Sequence, residues 1–295
     1  MRKFMDWDNI GDDEIRIIGD RNTKRSHQRR WVLLLFALLV ICLIISIPIL
    51  INGNKSNETI ESSLFNSIDT IEYQGVLDDE SANLRSFCEI RDTTVETLPL
   101  RLFIPRNARP TLHKGKIDKS DPEIIYANMA ADVRADNGGI LGAFVLEGEP
   151  LAWGLSRKGY CSIIDDVITV GVAENSPLFE RATEVGGYFF RQYPLVDNGV
   201  VLIENKARVY NYLRALCQIG DNTFMAHSLT KVSFHNFAQA LANIGCDNAI
   251  YIVGYEAYGW AVDSDDMVHE FGTDGYFDSV VPEPDNLNYI VWKRK

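Results

Sequence analysis

The stretch Ser233–Gly254, "SFHNFAQALANIGCDNAIYIVG", decides how this chain folds. Phe234, Phe237, Ala238, Leu241 and Ile244 recur at three- and four-residue intervals, which gives a helix one apolar face. Ser233 stands where an N-cap hydroxyl is needed, and Gly245 where a chain leaves a helix through a left-handed residue. Residues 248–253, "NAIYIV", are mostly apolar and rich in β-branched side chains. A strand of that kind is covered on both faces. The segment therefore predicts a helix over 233–245 packed on a sheet, with strand 248–253 central and Gly254 at its C-terminal end.

Upstream, the pattern is one of short strands broken by glycine, proline and acid. "LPLRLFIP", 98–105, alternates and stops at a proline; 107–122 is loop chemistry; 123–134 is ambiguous by period. Strand-like pieces follow at 140–148, 149–157, 159–165 and 167–173. Ser176 and Pro177 open a short helix over 176–187. "YFFRQYPLV", Asp197-Asn198-Gly199 and "VVLIE" read as a hairpin, because Asn-Gly suits a primed turn. "YLRALCQI", "GDN" and "TFMAHSL" read as a second one. Many short strands with a few helices predict an α+β or mixed α/β fold built on a central mixed sheet.

Near the start, Trp31–Ile51 carries no charge over 21 residues. A helix of that length crosses a ~30 Å hydrocarbon layer, and the run is longer than a signal-peptide core. Arg21, Lys24, Arg25, Arg29 and Arg30 precede it, whereas Lys55 alone follows closely. The positive-inside rule then predicts a single-pass protein with a cytoplasmic N-terminus. The expected organisation is a cytoplasmic tail, 1–30, a transmembrane helix, 31–51, a stalk and lead-in, 52–92, and a periplasmic or extracellular domain, 93–295. The lipid bilayer is thus an expected partner through residues 31–51.

The net charge is −12 at pH 7, and the acidic excess lies beyond the apolar span. That excludes nucleic acid as a partner, since it needs a basic footprint. Cys88, Cys161, Cys217 and Cys246 follow the span. An even number permits disulfides in an oxidising compartment, and buried free thiols account for them equally well. Their spacing fits no zinc site. Asp263–Met267, "DSDDM", lacks the glycine and terminal glutamate of an EF-hand loop and reads as a charged hairpin turn.

Over residues 131–262, the order of motifs resembles the phosphodiester glycosidase domain family, many of whose bacterial members are exported or membrane-anchored. The resemblance rests on Asn137-Gly138-Gly139 with the later "GEPLAWG", on Tyr193-Pro194-Leu195-Val196-Asp197-Asn198-Gly199, on Arg214-Ala215-Leu216, and on the helix and strand running from Leu241 to Gly254. It implies a hydrolase acting on a sugar 1-phosphodiester, here one of an envelope glycan, so the expected ligand is a carbohydrate or sugar phosphate. The chain departs from the family at the last strand. Val253 stands at the usual aspartate, Tyr255 at the second glycine, and Ile140 and Leu141 at the usual aromatic pair.

Glycosyl cleavage needs carboxylates to protonate a leaving group and to stabilise positive charge on the sugar. Valine can do neither, which leaves two readings open. In one, Glu256 replaces the lost carboxylate and Arg214 holds a phosphate oxygen as the second catalytic residue. Asn137, Gly138 and Gly139 then present backbone amides to the anion, with Gly254, Tyr255 and His227 completing substrate binding. In the other, the domain kept the fold and lost the chemistry. Glu256 is then a solvated turn residue, Arg214 a cross-strand ion pair, Asn137 an ordinary turn and His227 structural. Tyr255, Tyr258, Trp260 and Trp153 read either as a sugar-stacking wall or as core and rim packing. No protein metal ligand and no cofactor is assigned, although a strand-end carboxylate is a place for a divalent cation.

Overall fold

The computed structural model describes residues 85–134, 137–206, 209–254, 257–273 and 286–295. The expected tail, the apolar span 31–51 and most of the stalk lie outside the described residues, as do Tyr255 and Glu256. Among the described residues, no helix is long and apolar enough to cross a membrane.

Three antiparallel sheets make up the domain. The largest has seven strands. In spatial order these are β1 (Phe87–Val95), β2 (Leu98–Arg106), β13 (Asn222–Ser228), β12 (Arg214–Ile219), β14 (Asn248–Ile252), β10 (Pro194–Asp197) and β11 (Val200–Val201). The second runs β16 (Val268–Phe271), β15 (Gly259–Val262), β4 (Ile124–Met129), β17 (Asn288–Arg294) and β3 (Ala108–Lys114). The third runs β6 (Glu149–Trp153), β5 (Ala143–Leu146), β9 (Tyr188–Gln192), β7 (Gly159–Ile164) and β8 (Val167–Val172). Among the described residues two helices join them, α1 (Pro177–Val185) and α2 (Phe234–Asn243). The opening element of the 52–92 segment is β1, which starts at Phe87 and pairs with β2 over its whole length.

The deciding stretch folds as expected. The Ser233 side chain caps α2 by accepting from Asn236 N at 3.1 Å, and Gly245 leaves the helix at φ 91°. Phe237 and Leu241 are fully buried. β14 lies between β12 and β10. Its side chains alternate between two cores. Ala249 and Tyr251 meet α2 together with Ala215, Cys217 and Ala226. Ile250 and Ile252 join Leu216 and Met225 against Tyr126, Trp260 and Ile290 of the second sheet. Cover on both faces explains the continuous apolar run.

The central sheet is antiparallel, not mixed. The β13–α2–β14 run looks like a parallel crossover unit, and its two strands do run in the same direction. β12 lies between them and pairs antiparallel with each. Both anticipated hairpins form, β10–β11 and β12–β13, the first through Asn198 and Gly199 at φ 48° and 75°. The run Tyr188–Asp197 is not one strand, however. It changes sheet at Tyr193, with β9 in the third sheet and β10 in the first. Gln192 is fully buried there, and its side-chain oxygen accepts from Tyr193 N at 3.1 Å. The four cysteines beyond the apolar span are free thiols in the core.

Candidate functional site

Arg214 opens β12 on the face that meets the second sheet, and it is 5% exposed. Its Nη1 donates to Asn128 Oδ1 and to Ala257 O, each at 2.7 Å. Its Cζ lies 4.6 Å from the ring centroid of Phe271. Asn128, on β4, turns its amide nitrogen to Val253 O at 3.1 Å and Met129 O at 2.7 Å. One asparagine therefore ties the arginine to the end of β14. Gly254 is needed here because a β-carbon would sit 3.0 Å from Tyr212 O and 3.3 Å from Arg214 N. Ala257 N closes the turn onto Gly254 O at 3.1 Å.

His227 faces Arg214's neighbourhood from β13, since Arg214 and His227 are register partners. Its Nε2 lies 3.1 Å from the Tyr126 hydroxyl, and its ring packs on Phe103 and Phe271 at 4.5 and 4.7 Å. A cavity of about 230 Å³ opens over this group. Arg214, His227, Phe271, Arg101, Tyr212 and Glu270 are among the residues that line it, the Glu270 carboxylate being taken up by Lys119 and the Tyr258 hydroxyl. Burial pushes the Arg214 pKa down to about 10, against the opposing influence of the Tyr126 and Tyr251 phenols. Burial first, and then the positive charges of Arg214 and Arg101, push His227 well below the usual histidine range. The cavity thus holds a desolvated cation beside a neutral imidazole, an arrangement suited to an anionic group.

A second polar centre lies further along the segment that follows β4. Asp132 and Arg157 form an ion pair with both side chains about one-tenth exposed. Gln192 Nε2 donates to Asp132 Oδ2 at 3.2 Å, and Arg157 Nη1 donates to Gln192 Oε1 at 3.2 Å. The guanidinium stacks over the Tyr193 ring at 4.3 Å. Burial alone would lower the Arg157 pKa; the Asp132 carboxylate overrides it, and the net shift is upward. Arg157 holds φ at 74°, uncommon for a residue with a β-carbon, and its carbonyl accepts from Arg191 Nη1 at 3.1 Å. The charges of Asp132, Arg157 and Arg214 all reach Tyr251, whose hydroxyl accepts from Gly254 N at 3.1 Å. Sequence reasoning passed over this centre because Asp132, Arg157 and Gln192 are more than 20 residues apart in the chain and belong to no quoted motif. The one available signal was an aspartate directly after the apolar run 124–131.

Of the residues singled out in the sequence, Arg214, His227 and Gly254 come together. Arg214 reaches Asn128 of the second sheet and the Ala257 carbonyl. Asn137 folds back on its own turn, its Oδ1 accepting from Gly139 N at 2.9 Å, and Gly138 O accepts from Asn286 Nδ2 at 2.7 Å. Val253 is buried in the core. Of the four aromatics read as a wall, Tyr255 lies outside the described residues, and Tyr258 packs on Trp260 at 5.9 Å between ring centroids. Trp260 is fully buried, Tyr258 donates to Glu270 Oε2 at 2.7 Å, and Trp153 is exposed on β6 of a different sheet. Asp263 does make a hairpin turn between β15 and β16, accepting from Asp265 N and Met267 N. Among the described residues, no three His, Cys, Asp or Glu side chains gather as a metal site.

The fold resembles that of a phosphodiester glycosidase catalytic domain. The solved structure that shows it is the catalytic domain of zebrafish N-acetylglucosamine-1-phosphodiester alpha-N-acetylglucosaminidase, auto-inhibited by its pro-peptide. It superposes with a TM-score of 0.50 at 13% identity, over 71% of this chain and 83% of that one. A hypothetical protein from Synechocystis is also similar, with a TM-score of 0.48 at 10% identity, over 70% of this chain and 62% of that one. No protein-family model and no curated sequence matches the chain.

Proposed function

We propose that this domain recognises a sugar 1-phosphodiester of an envelope glycan, on a chain anchored by residues 31–51 with its C-terminal domain outside the cytoplasm. The observation that carries the reading is the desolvated Arg214 guanidinium on the floor of the cavity. An anion entering that cavity meets a cation that water screens poorly, where Coulomb attraction is strong. The phosphoryl group belongs beside Arg214, with the sugar against the rings of Phe271 and Tyr212.

A second reading, hydrolysis, is favoured by the likeness to a catalytic domain and by the turn from Gly254 to Ala257 that packs on Arg214. Glu256 stands between those two residues in sequence. In that reaction water adds to the anomeric carbon as the carbon–oxygen bond to phosphorus breaks. A phosphate monoester leaves, and the carboxylate carries the proton. The burial of Val253 at the family's aspartate position favours recognition over hydrolysis.

The similar catalytic domain acts on N-acetylglucosamine 1-phosphodiesters, which makes N-acetylglucosamine 1-(methyl phosphate) the first ligand to test. Calorimetric titration into the full-length chain is expected to show binding that Arg214→Met removes. Absence of binding by the parent chain overturns the reading. Phosphorus NMR of the same mixture, with and without divalent metal, is expected to show the diester intact. Accumulation of methyl phosphate establishes hydrolysis instead.

A further inference from the structure

The segment leading into Arg214 carries a second feature. Residues 210–214 run extended against two neighbouring segments. Asn211 and Val232 exchange backbone bonds at 3.1 and 2.9 Å, and Leu213 O accepts from Ser228 N at 2.9 Å. Leu213 N donates to Ser228 Oγ at 2.8 Å. Asn211 and Leu213 point inward and are buried, whereas Tyr210 and Tyr212 are 54% and 43% exposed. The period of two in an extended chain puts Tyr210, Tyr212 and Arg214 on one side, about 6.5–7 Å apart in turn. Tyr212 and the exposed Leu229 form part of the cavity wall.

We infer that the site takes an oligosaccharide carrying the phosphodiester, with Tyr212 and Tyr210 as successive sugar-binding positions leading away from Arg214. The inference rests on the reading of the cavity as a sugar-phosphodiester site. Three observations select this occupant. The cavity, at about 230 Å³, is smaller than the roughly 300–1,000 Å³ of pockets that enclose a whole small ligand. It accommodates the phosphoryl group and one ring, so the rest of the ligand lies outside it. Two half-exposed phenol rings stand along the extended segment that leads into Arg214, each offering an apolar face and a hydroxyl. Arg214 lies at one end of this track with Arg101 and Glu270, whose charges are already paired with Asp92 and Lys119, so the buried guanidinium marks that end for the charged group of a ligand that is neutral along the rest.

The test compares N-acetylglucosamine 1-(methyl phosphate) with its trisaccharide homologue, extended by two further sugars, by calorimetry on the full-length chain. The trisaccharide is expected to bind about tenfold more tightly, the scale of one or two aromatic contacts. Tyr210→Ala is expected to erase most of that gain while costing the monosaccharide less than about twofold. Arg214→Met is expected to weaken both ligands alike. Equal affinities in the parent chain, or a gain that survives Tyr210→Ala, overturns the inference while leaving the cavity reading intact. A phosphopeptide of matched charge that binds as tightly as the trisaccharide, and is equally sensitive to Tyr210→Ala, also overturns it. Failure of both sugars to bind removes the cavity reading and the inference together.

Discussion

Arg157 and Arg214 are both buried arginines, yet their pKa values shift in opposite directions. Arg157 is clamped by the Asp132 carboxylate, with Gln192 and Tyr193 around it, and its pKa rises. Arg214 donates to an asparagine and a backbone carbonyl over an aromatic ring, and its pKa falls to about 10. A carboxylate within hydrogen-bond reach compensates a guanidinium for its lost water; neutral dipoles do so only in part. The first arrangement secures a junction between sheets. The second holds a buried guanidinium in the wall of a cavity. Two arginines that look alike in the sequence therefore sit in different electrostatic surroundings.

The largest effect is expected at Asp132. Removing one partner of a buried pair leaves the other charge uncompensated, so Asp132→Asn should destabilise the fold by about 3–5 kcal/mol. Adding Arg157→Met should recover part of that loss, because the stranded charge goes with it. Chemical denaturation of the single and double variants checks both statements. A single variant that loses under 1 kcal/mol would mean that the ion pair does not secure the junction.

Arg214→Met should cost less, about 1–3 kcal/mol, for the buried acceptors of Asn128 and Ala257 that lose their donor. Its main effect should be on ligand binding. If Arg214→Met destabilises as much as Asp132→Asn, both arginines are structural and the contrast between them fails.

The fold around Arg214 was largely legible in the sequence, and the chemistry only partly. Helix 233–245, strand 248–253 and both hairpins could be read because caps, turns and side-chain period are local signals. The sheet order was not legible, since a strand earlier in the chain, β12, inserts between β13 and β14, and nothing in residues 222–252 encodes that. The break at Tyr193 was hidden for a similar reason. Gln192 looks like an ordinary strand residue until its amide is seen to satisfy Tyr193 N. Among site residues, Arg214 was found through its place in a motif. Asn128, which connects it to Val253, has no local signature, because its partners lie 86 and 125 residues away.

A pH titration sharpens the contrast at the next scale down. His227 titrates near 6.5 when unfolded, and burial together with the charges of Arg214 and Arg101 holds it well below that in the fold. Above about pH 6.5 both states carry a neutral imidazole, and stability is at its full value. As the pH falls below that, the unfolded chain takes a proton that the folded chain refuses. Stability should drop by up to about 1.4 kcal/mol per pH unit. Denaturant midpoints between pH 7.5 and 5.5 measure this slope, and His227→Gln should flatten it. Arg214→Met should flatten it partly, because one of the charges that depresses the histidine is gone. Arg157→Met with Asp132→Asn should leave it unchanged, as neither contributes to the His227 shift.

The smallest effect, and the most specific, belongs to a third arginine. Arg101 stands in the cavity wall, and its Nε and Nη2 donate to the two Asp92 oxygens at 2.7 and 2.8 Å. Both side chains are more than one-third exposed, so water screens the pair. Pairs of this kind contribute at most about 1 kcal/mol, and Asp92→Asn should move the denaturation midpoint by no more than that. The substitution should still change binding. With the Asp92 charge gone, the potential at the cavity mouth becomes more positive, and an anionic sugar phosphate should associate faster at low salt. Raising the ionic strength to 0.15 M shortens the screening length to about 8 Å and should remove most of the gain. Arg214, which lies on the cavity floor and not at the mouth, should instead govern dissociation at either salt concentration. Stopped-flow binding of the trisaccharide to the parent chain and to Asp92→Asn separates the two. An association rate indifferent to both Asp92 and salt would show that the ligand does not reach Arg214 through this mouth.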